Sequence, residues 1–202
     1  MRSVTELADS VKIVKNRYGI SVISHDPALE LIGSGRSAAV FKINGTVKAL
    51  KVFYPGFENI ALEEADIYRQ LEGIPYFPAF YESGRNYLLI DLIEGITLFD
   101  CLSNGVRLTE ANIKEIDRAI SLAKQQGLTP SDIHLRNIIL TTDGNIKLID
   151  VARFRQTKNF RQWDDLRKAF YMFYEKSYFP KRIPVFVLNG IAYLYNKKVH
   201  KF

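Results

Sequence analysis

Lys51 sits near the end of the run Val47-Lys48-Ala49-Leu50-Lys51-Val52, in which alternation puts Val47, Ala49 and Lys51 on one face of a strand. An ammonium group therefore stands where the pattern asks for an apolar residue. A buried lysine needs an anionic partner. The helical run that follows offers one: Ile60, Glu64, Ile67, Tyr68 and Leu71 share a face, while Glu63 belongs with Asp66 and Gln70 on the polar side. An acid on an apolar helical stripe and a lysine on an apolar strand face would satisfy each other. The expectation is a strand and a helix packed together around one ion pair.

The chain has 202 residues, enough for one domain or for two small lobes sharing a cleft. Apolar residues make up 47% and charged residues 25%, the profile of a soluble globular protein. The single cysteine, Cys101, excludes an intrachain disulfide and fits a reducing compartment. Residues 1–14 carry charge throughout and lack the apolar core of a signal peptide. The longest apolar stretch, 183–195, is broken by Pro184, Asn189 and Gly190 and is too short to span a bilayer. These features predict a cytoplasmic protein with no membrane span. The net charge is +6, with basic residues after Asp150 (Arg153, Arg155, Arg167, Lys168) and further on (Lys181, Arg182, Lys197). No sequence-specific nucleic-acid motif accompanies them, so a solvated basic surface is expected and nucleic acid is not the expected partner.

Val4, Leu7, Ala8, Val11, Val14 and Tyr18 recur at helical spacing and predict a leading helix over 4–18 that packs on the body of the protein. From 29 to 92 the chain is strand-rich, with one helix at 58–72. Asn44-Gly45 between strands 41–43 and 46–50 predicts a hairpin with a type I′ turn. The apolar run 88–92 leads into Glu94-Gly95, a hinge signal. Beyond it, Thr109 caps a helix that puts Ile113, Ile116, Ile120 and Ala123 on one face and ends at Gly127. A second hairpin joins 138–140 to 146–149, and the last two helices are expected at 163–176 and 185–196. A strand-rich first part and a helix-rich second part predict two lobes with a cleft between them.

Three further segments carry chemistry. Gly33-Ser34-Gly35, running into Val40, lies between two strand signals, where glycines let a turn approach phosphates closely. Asp132-Ile133-His134-Leu135-Arg136-Asn137 places an acid and an amide five residues apart in a loop. Asp150 follows the alternating strand Ile146-Lys147-Leu148-Ile149, so its carboxylate emerges at a strand end, as suits Mg²⁺ bridging phosphate oxygens.

Taken together, these segments resemble the protein-kinase-like superfamily in a minimal form. Gly33 to Val40 is similar to the glycine-rich loop, Ala49-Leu50-Lys51 to the lysine strand and Glu64 to its partner glutamate. Asp91 to Gly95 resembles the hinge, Asp132 to Asn137 the catalytic loop and Asp150-Val151-Ala152 the metal-binding segment; Asp165 resembles the acid that braces the catalytic loop. More loosely, the chain is similar to short bacterial proteins described as serine/threonine kinases. The resemblance implies an α+β, two-lobed protein-kinase-like fold with a truncated C-lobe: a single domain over 1–202, with an N-lobe about 20–92, a hinge about 91–96 and a C-lobe about 97–202. It implies an ATP-dependent phosphotransferase that uses Mg²⁺. Gly33, Gly35, Val40, Lys51, Glu64 and Asp91 would serve the nucleotide, Asn137 and Asp150 the metal, and Asp132 the acceptor hydroxyl.

Departures from the family pattern bear on the acceptor. Pro130-Ser131 stands where His-Arg normally precedes the catalytic Asp, and only 12 residues separate Asp150 from Trp163, which leaves hardly any room for an activation loop. His134 replaces the usual loop lysine, and Asp-x-His-x-x-Asn resembles aminoglycoside, choline and RIO-like kinases. The imidazole could face the γ-phosphate or hold the loop by a backbone contact. The first reading of the acceptor is a protein serine or threonine hydroxyl. The alternatives are a small-molecule or sugar hydroxyl, and a nucleotide-binding pseudokinase that acts as an interaction module, for which Val151-Ala152 in place of Phe-Gly speaks.

Overall fold

The chain opens on α1 (Val4–Ser10), whose first turn is closed by a reciprocal capping box: the Ser3 hydroxyl accepts from the Glu6 amide and the Glu6 carboxylate accepts from the Ser3 amide. The computed structural model describes residues 2–17, 19–156 and 162–199. The helix predicted over 4–18 stops at Ser10, and Val11 is already extended (φ −73°, ψ 111°). A hairpin follows, β1 (Lys12–Asn16) with β2 (Gly19–Ser24); Tyr18 lies outside the described residues. Ile13, not Val14, packs inward, and Val14 is exposed, so strand pairing has replaced the helical period.

A five-stranded antiparallel sheet comes next: β3 (Leu29–Ser34), β4 (Ala38–Ile43) and β5 (Lys48–Phe53), then, after α2 (Glu58–Gln70), β6 (Phe80–Ser83) and β7 (Tyr87–Asp91). Its strand order is β3-β4-β5-β7-β6. Both faces are covered. Phe41, Leu50, Val52 and Leu89 point to α1 and the β1–β2 hairpin, while Ala38, Ala49, Phe53, Leu88 and Ile90 point to α2 and the larger core. Strict alternation thus divides one sheet between two apolar clusters. The β4–β5 turn differs from expectation: Gly45 takes φ 75°, but Asn44 keeps a negative φ, so the turn is not type I′. The Thr46 amide and hydroxyl both donate to the Ile43 carbonyl (3.1 and 2.8 Å) and close the turn instead.

After β7 the chain crosses to the second half. β8 (Gly95–Thr97) starts α3 (Leu98–Asn104), capped by the Thr97 hydroxyl, and α4 (Glu110–Gln125) follows with a Thr109–Asn112 capping box. β9 (Ile138–Thr141) and β10 (Ile146–Leu148) complete a three-stranded sheet in the order β10-β9-β8. Gly95 is needed at the crossing: its φ is 154° and a Cβ there would lie 2.3 Å from the Leu140 carbonyl. α5 (Gln162–Ala169) runs into a π-helical turn, Phe170–Tyr174, and α6 (Val185–Val199) ends the described fold. α6 sets Leu188 on the core and leaves Phe186, Tyr193 and Leu194 exposed. No helix among the described residues is long and apolar enough to cross a membrane.

Candidate functional site

Between the five-stranded sheet and the β8–β10 half lies a cavity of about 800 Å³, lined by residues from both. β5 delivers Lys51 to its wall because alternation turns that position toward α2. Glu64, fully buried on α2, receives the ammonium with both oxygens, at 2.7 and 2.8 Å. Lys51 Nζ also donates to Asp150 Oδ1 at 3.1 Å. One cation is therefore shared by two carboxylates from distant parts of the chain. Burial opposes charge on Lys51, but Glu64 and Asp150 together outweigh it and hold the ammonium above the ordinary lysine range. Burial pushes the Glu64 carboxyl up, with Lys51 opposing. For Asp150, burial is outweighed by Lys51, with His134 and Arg153 adding, so its carboxyl lies below the ordinary aspartate range.

Asp132 and Asp150 both line this cavity, and they are the only non-glycine residues with positive φ among those described, each at 59°. Aspartate is one of the few side chains that visit this region. Backbone strain of this kind collects at functional sites, where the surrounding structure over-determines it. Here the surroundings do so through a short hydrogen-bond lattice. The Asn137 amide donates to the His134 carbonyl (2.9 Å), Ile149 N donates to the Asn137 carbonyl (2.9 Å), and Asn137 Nδ2 donates to the Asp132 carbonyl (3.2 Å). That last bond fixes the carboxamide and leaves Oδ1 as its acceptor atom. The lattice ties the loop of Asp132 to the strand that ends at Asp150.

The Arg136 amide donates to His134 Nδ1 at 3.3 Å, and Nε2 lies 3.9 Å from Asp132 Oδ1. Arg136, which also lines the cavity, stacks 3.4 Å over Phe99 and donates to Asn189 of α6.

Gly33, Gly35 and Val40 line the opposite wall. Neither glycine takes a positive φ. A Cβ at Gly33 would meet only Val40 at 3.9 Å, and one at Gly35 only the Ala38 carbonyl at 3.6 Å. Internal packing does not demand glycine at either position, and both border the cavity. Asp91 lines the cavity too, and its carboxylate accepts from the Ala79 amide (3.0 Å) and the Tyr81 hydroxyl (2.7 Å). Asp165 does not brace the Asp132 loop: its hydrogen-bond partner is the Tyr195 hydroxyl on α6, at 3.0 Å. Tyr195 is pushed up to about 12 by burial and by Asp165. Cys101 is buried and its thiol is pushed up to about 11, so it is no nucleophile at neutral pH.

Sequence reasoning missed Arg153, whose Nε lies 3.3 Å from Asp132 Oδ2. It also missed Ser131, a buried hydroxyl that donates to the Arg153 carbonyl. The one available signal was Val151 and Phe154, apolar residues that bracket Arg153 in a basic stretch.

No family model matches the chain. Among curated proteins, it is 46% identical over 193 residues to "Putative serine/threonine-protein kinase YrzF" of Bacillus subtilis (strain 168), covering 95% of this chain and 90% of that protein. It is 28% identical to protein kinase C zeta type of Oryctolagus cuniculus, over 73% of this chain and 28% of that protein. It is 32% identical to 3-phosphoinositide-dependent protein kinase 1 of Arabidopsis thaliana, over 54% of this chain and 25% of that protein. The chain belongs to the protein-kinase-like family. Its mixed helices and antiparallel sheets form a two-lobed, truncated version of that fold.

Proposed function

We propose that the cavity is the active centre of an ATP-dependent kinase that moves the γ-phosphate to a hydroxyl, with a protein serine or threonine as the first candidate acceptor. The reading rests on one observation: a single cavity gathers Gly33, Gly35, Lys51, Asp132, Asn137 and Asp150. The chain would act as one unit over 1–202, with the nucleotide between an N-lobe of about 20–92 and a C-lobe of about 97–202, joined through a hinge of about 91–96. The backbone around Gly33 and Gly35 would approach the phosphates, with no side chain between. Val40 would pack on the base, and the backbone at Asp91 would edge it. Lys51, kept charged by Glu64, would hold the α- and β-phosphates.

The donor set fits a hard cation that keeps several waters. Asp150 offers a carboxylate and Asn137 an amide oxygen, and among the described residues no group of three or more His, Cys, Asp or Glu forms a closed cage. Mg²⁺ held by these two would neutralise charge on the transferring phosphate. Asp132 would orient the acceptor hydroxyl and take its proton as the new O–P bond forms. The β–γ bridging bond breaks in the same step, and ADP leaves with the electron pair.

The test is to incubate the purified protein with Mg²⁺ and γ-labelled ATP in desalted cell lysate, beside an Asp132→Asn variant, and to separate label by molecular size. Asp132-dependent label in macromolecules supports a protein kinase. Asp132-dependent label only in the small-molecule fraction moves the acceptor to a metabolite or sugar. Label in neither fraction overturns the enzyme reading in favour of a nucleotide-binding interaction module.

A further inference from the structure

The segment after Asp150 is stitched to the segment before Asp132. Thr129 N and Oγ1 donate to the Phe154 carbonyl (2.6 and 3.2 Å), and Thr129 Oγ1 also donates to the Gln156 carbonyl (2.9 Å). The buried Ser131 hydroxyl donates to the Arg153 carbonyl. Between these stitches the chain makes a tight turn, with Phe154 N donating to the Val151 carbonyl at 2.9 Å. Val151 and Phe154 are both sunk in the core, and Phe154 meets Phe77 edge-on at 5.9 Å between centroids. The backbone of Arg153 is thereby fixed on both sides, and its side chain is left on the cavity wall.

That side chain is in a revealing place. Its Nε lies 3.3 Å from Asp132 Oδ2, and its charge is felt at Asp150. Arg153 and Asp132 are each about one-third exposed, at 32%, and both line the cavity together with Asp150. A pair this open contributes little to stability, so the rigid mounting beneath it calls for another explanation. Lys51 is already committed to Glu64 and Asp150. Arg136, the other cation of the Asp132 loop, is committed to Phe99 and Asn189. Arg36 also lines the cavity, from the glycine-loop wall, whereas Arg153 is the cation paired with Asp132, beside the position where an acceptor oxygen would meet the phosphate.

We infer that Arg153 is a further catalytic residue: from its place beside Asp132, its guanidinium contacts the transferring phosphoryl group. The inference depends on the kinase reading of this cavity. A planar guanidinium matches phosphate oxygens bidentately, and a preorganised donor of this kind acts most where charge develops in the transition state. When Arg153 turns to the phosphate, the Asp132 carboxylate is freed to accept the acceptor proton, so the two residues exchange partners as substrate enters. Ser131 and Thr129 serve as positioning residues that hold the turn.

The test uses the full chain and three variants: Arg153→Gln, Arg153→Lys and Asp132→Asn. Affinity is measured for Mg²⁺ with ATP and for Mg²⁺ with ADP and aluminium fluoride, a mimic of the transferring phosphoryl group, and turnover is measured in the lysate assay. Arg153→Gln is expected to bind ATP nearly as wild type does, yet to lose about a hundredfold in turnover and at least about tenfold in affinity for the mimic. Arg153→Lys is expected to recover part of both. Equal turnover and mimic affinity in wild type and Arg153→Gln would overturn the inference. A parallel loss of ATP and mimic affinity, with a lowered unfolding midpoint, would overturn it in favour of a purely structural role. If wild type itself shows no Asp132-dependent transfer and binds no Mg²⁺–ATP, the kinase reading fails, and the role of Arg153 fails with it.

Discussion

Two ion pairs meet at one cavity, and they are built on opposite plans. Lys51–Glu64 is bidentate, and the Glu64 side chain is fully buried. Arg153–Asp132 is a single 3.3 Å contact between partly exposed side chains. Removing one partner of a desolvated pair strands a charge where water cannot reach it, whereas an open pair is screened and easily remade with solvent. The first pair is therefore a fixed part of the architecture. The second is open to solvent and free to change partners.

The sharpest way to break this contrast is at Glu64. Glu64→Gln keeps the shape but removes the charge, leaving Lys51 only its single 3.1 Å contact with Asp150, and it is expected to cost about 3 kcal/mol of stability, read as a lower urea midpoint with an unchanged slope. A loss below about 1 kcal/mol would mean that the two pairs are energetically alike. Ser131→Ala is next. It leaves the Arg153 carbonyl without its buried donor and should cost about 1–2 kcal/mol by the same measurement. Arg153→Gln should move the midpoint by less than about 1 kcal/mol while turnover collapses.

Acid sharpens the comparison in a different way. The folded-state pKa of Asp150 lies below its ordinary value of 3.8, so its contribution to stability is complete above 3.8 and is lost as pH falls through the lower folded value. Lys51 runs the other way: its folded pKa lies above 10.5, so its contribution is complete below 10.5 and is lost only as pH rises through the folded value. Stability measured against pH should therefore decline at the acid end through Asp150, and Asp150→Asn should flatten that part of the profile.

What the sequence made legible and what it hid follow the same division. Lys51 and Glu64 stood out because each broke an apolar pattern, and breaking a pattern is visible in one dimension. The helix from 110 to 125 was equally plain, because Thr109 caps it and Gly127 supplies the positive φ (79°) after its end. Residues 11–16 misled because their apolar positions fit a helical period, yet β2 was close by to pair with them. Arg153 was invisible: within a basic stretch it looks like any solvated charge. Only the folding of 151–156 onto 129–131 brings it to Asp132. Asp165 misled in the opposite sense, since its surrounding residues resemble a loop brace while α6 brings Tyr195 to it instead.

The most direct measurement is calorimetric titration of Mg²⁺–ATP into the wild-type chain and into Asp150→Asn, each repeated with the metal chelated. Wild type should bind with an affinity that falls when Mg²⁺ is removed, and Asp150→Asn should lose that metal dependence. Wild type that binds no nucleotide, or whose binding is indifferent to both Mg²⁺ and Asp150, would contradict a phosphoryl-transfer centre in this cavity.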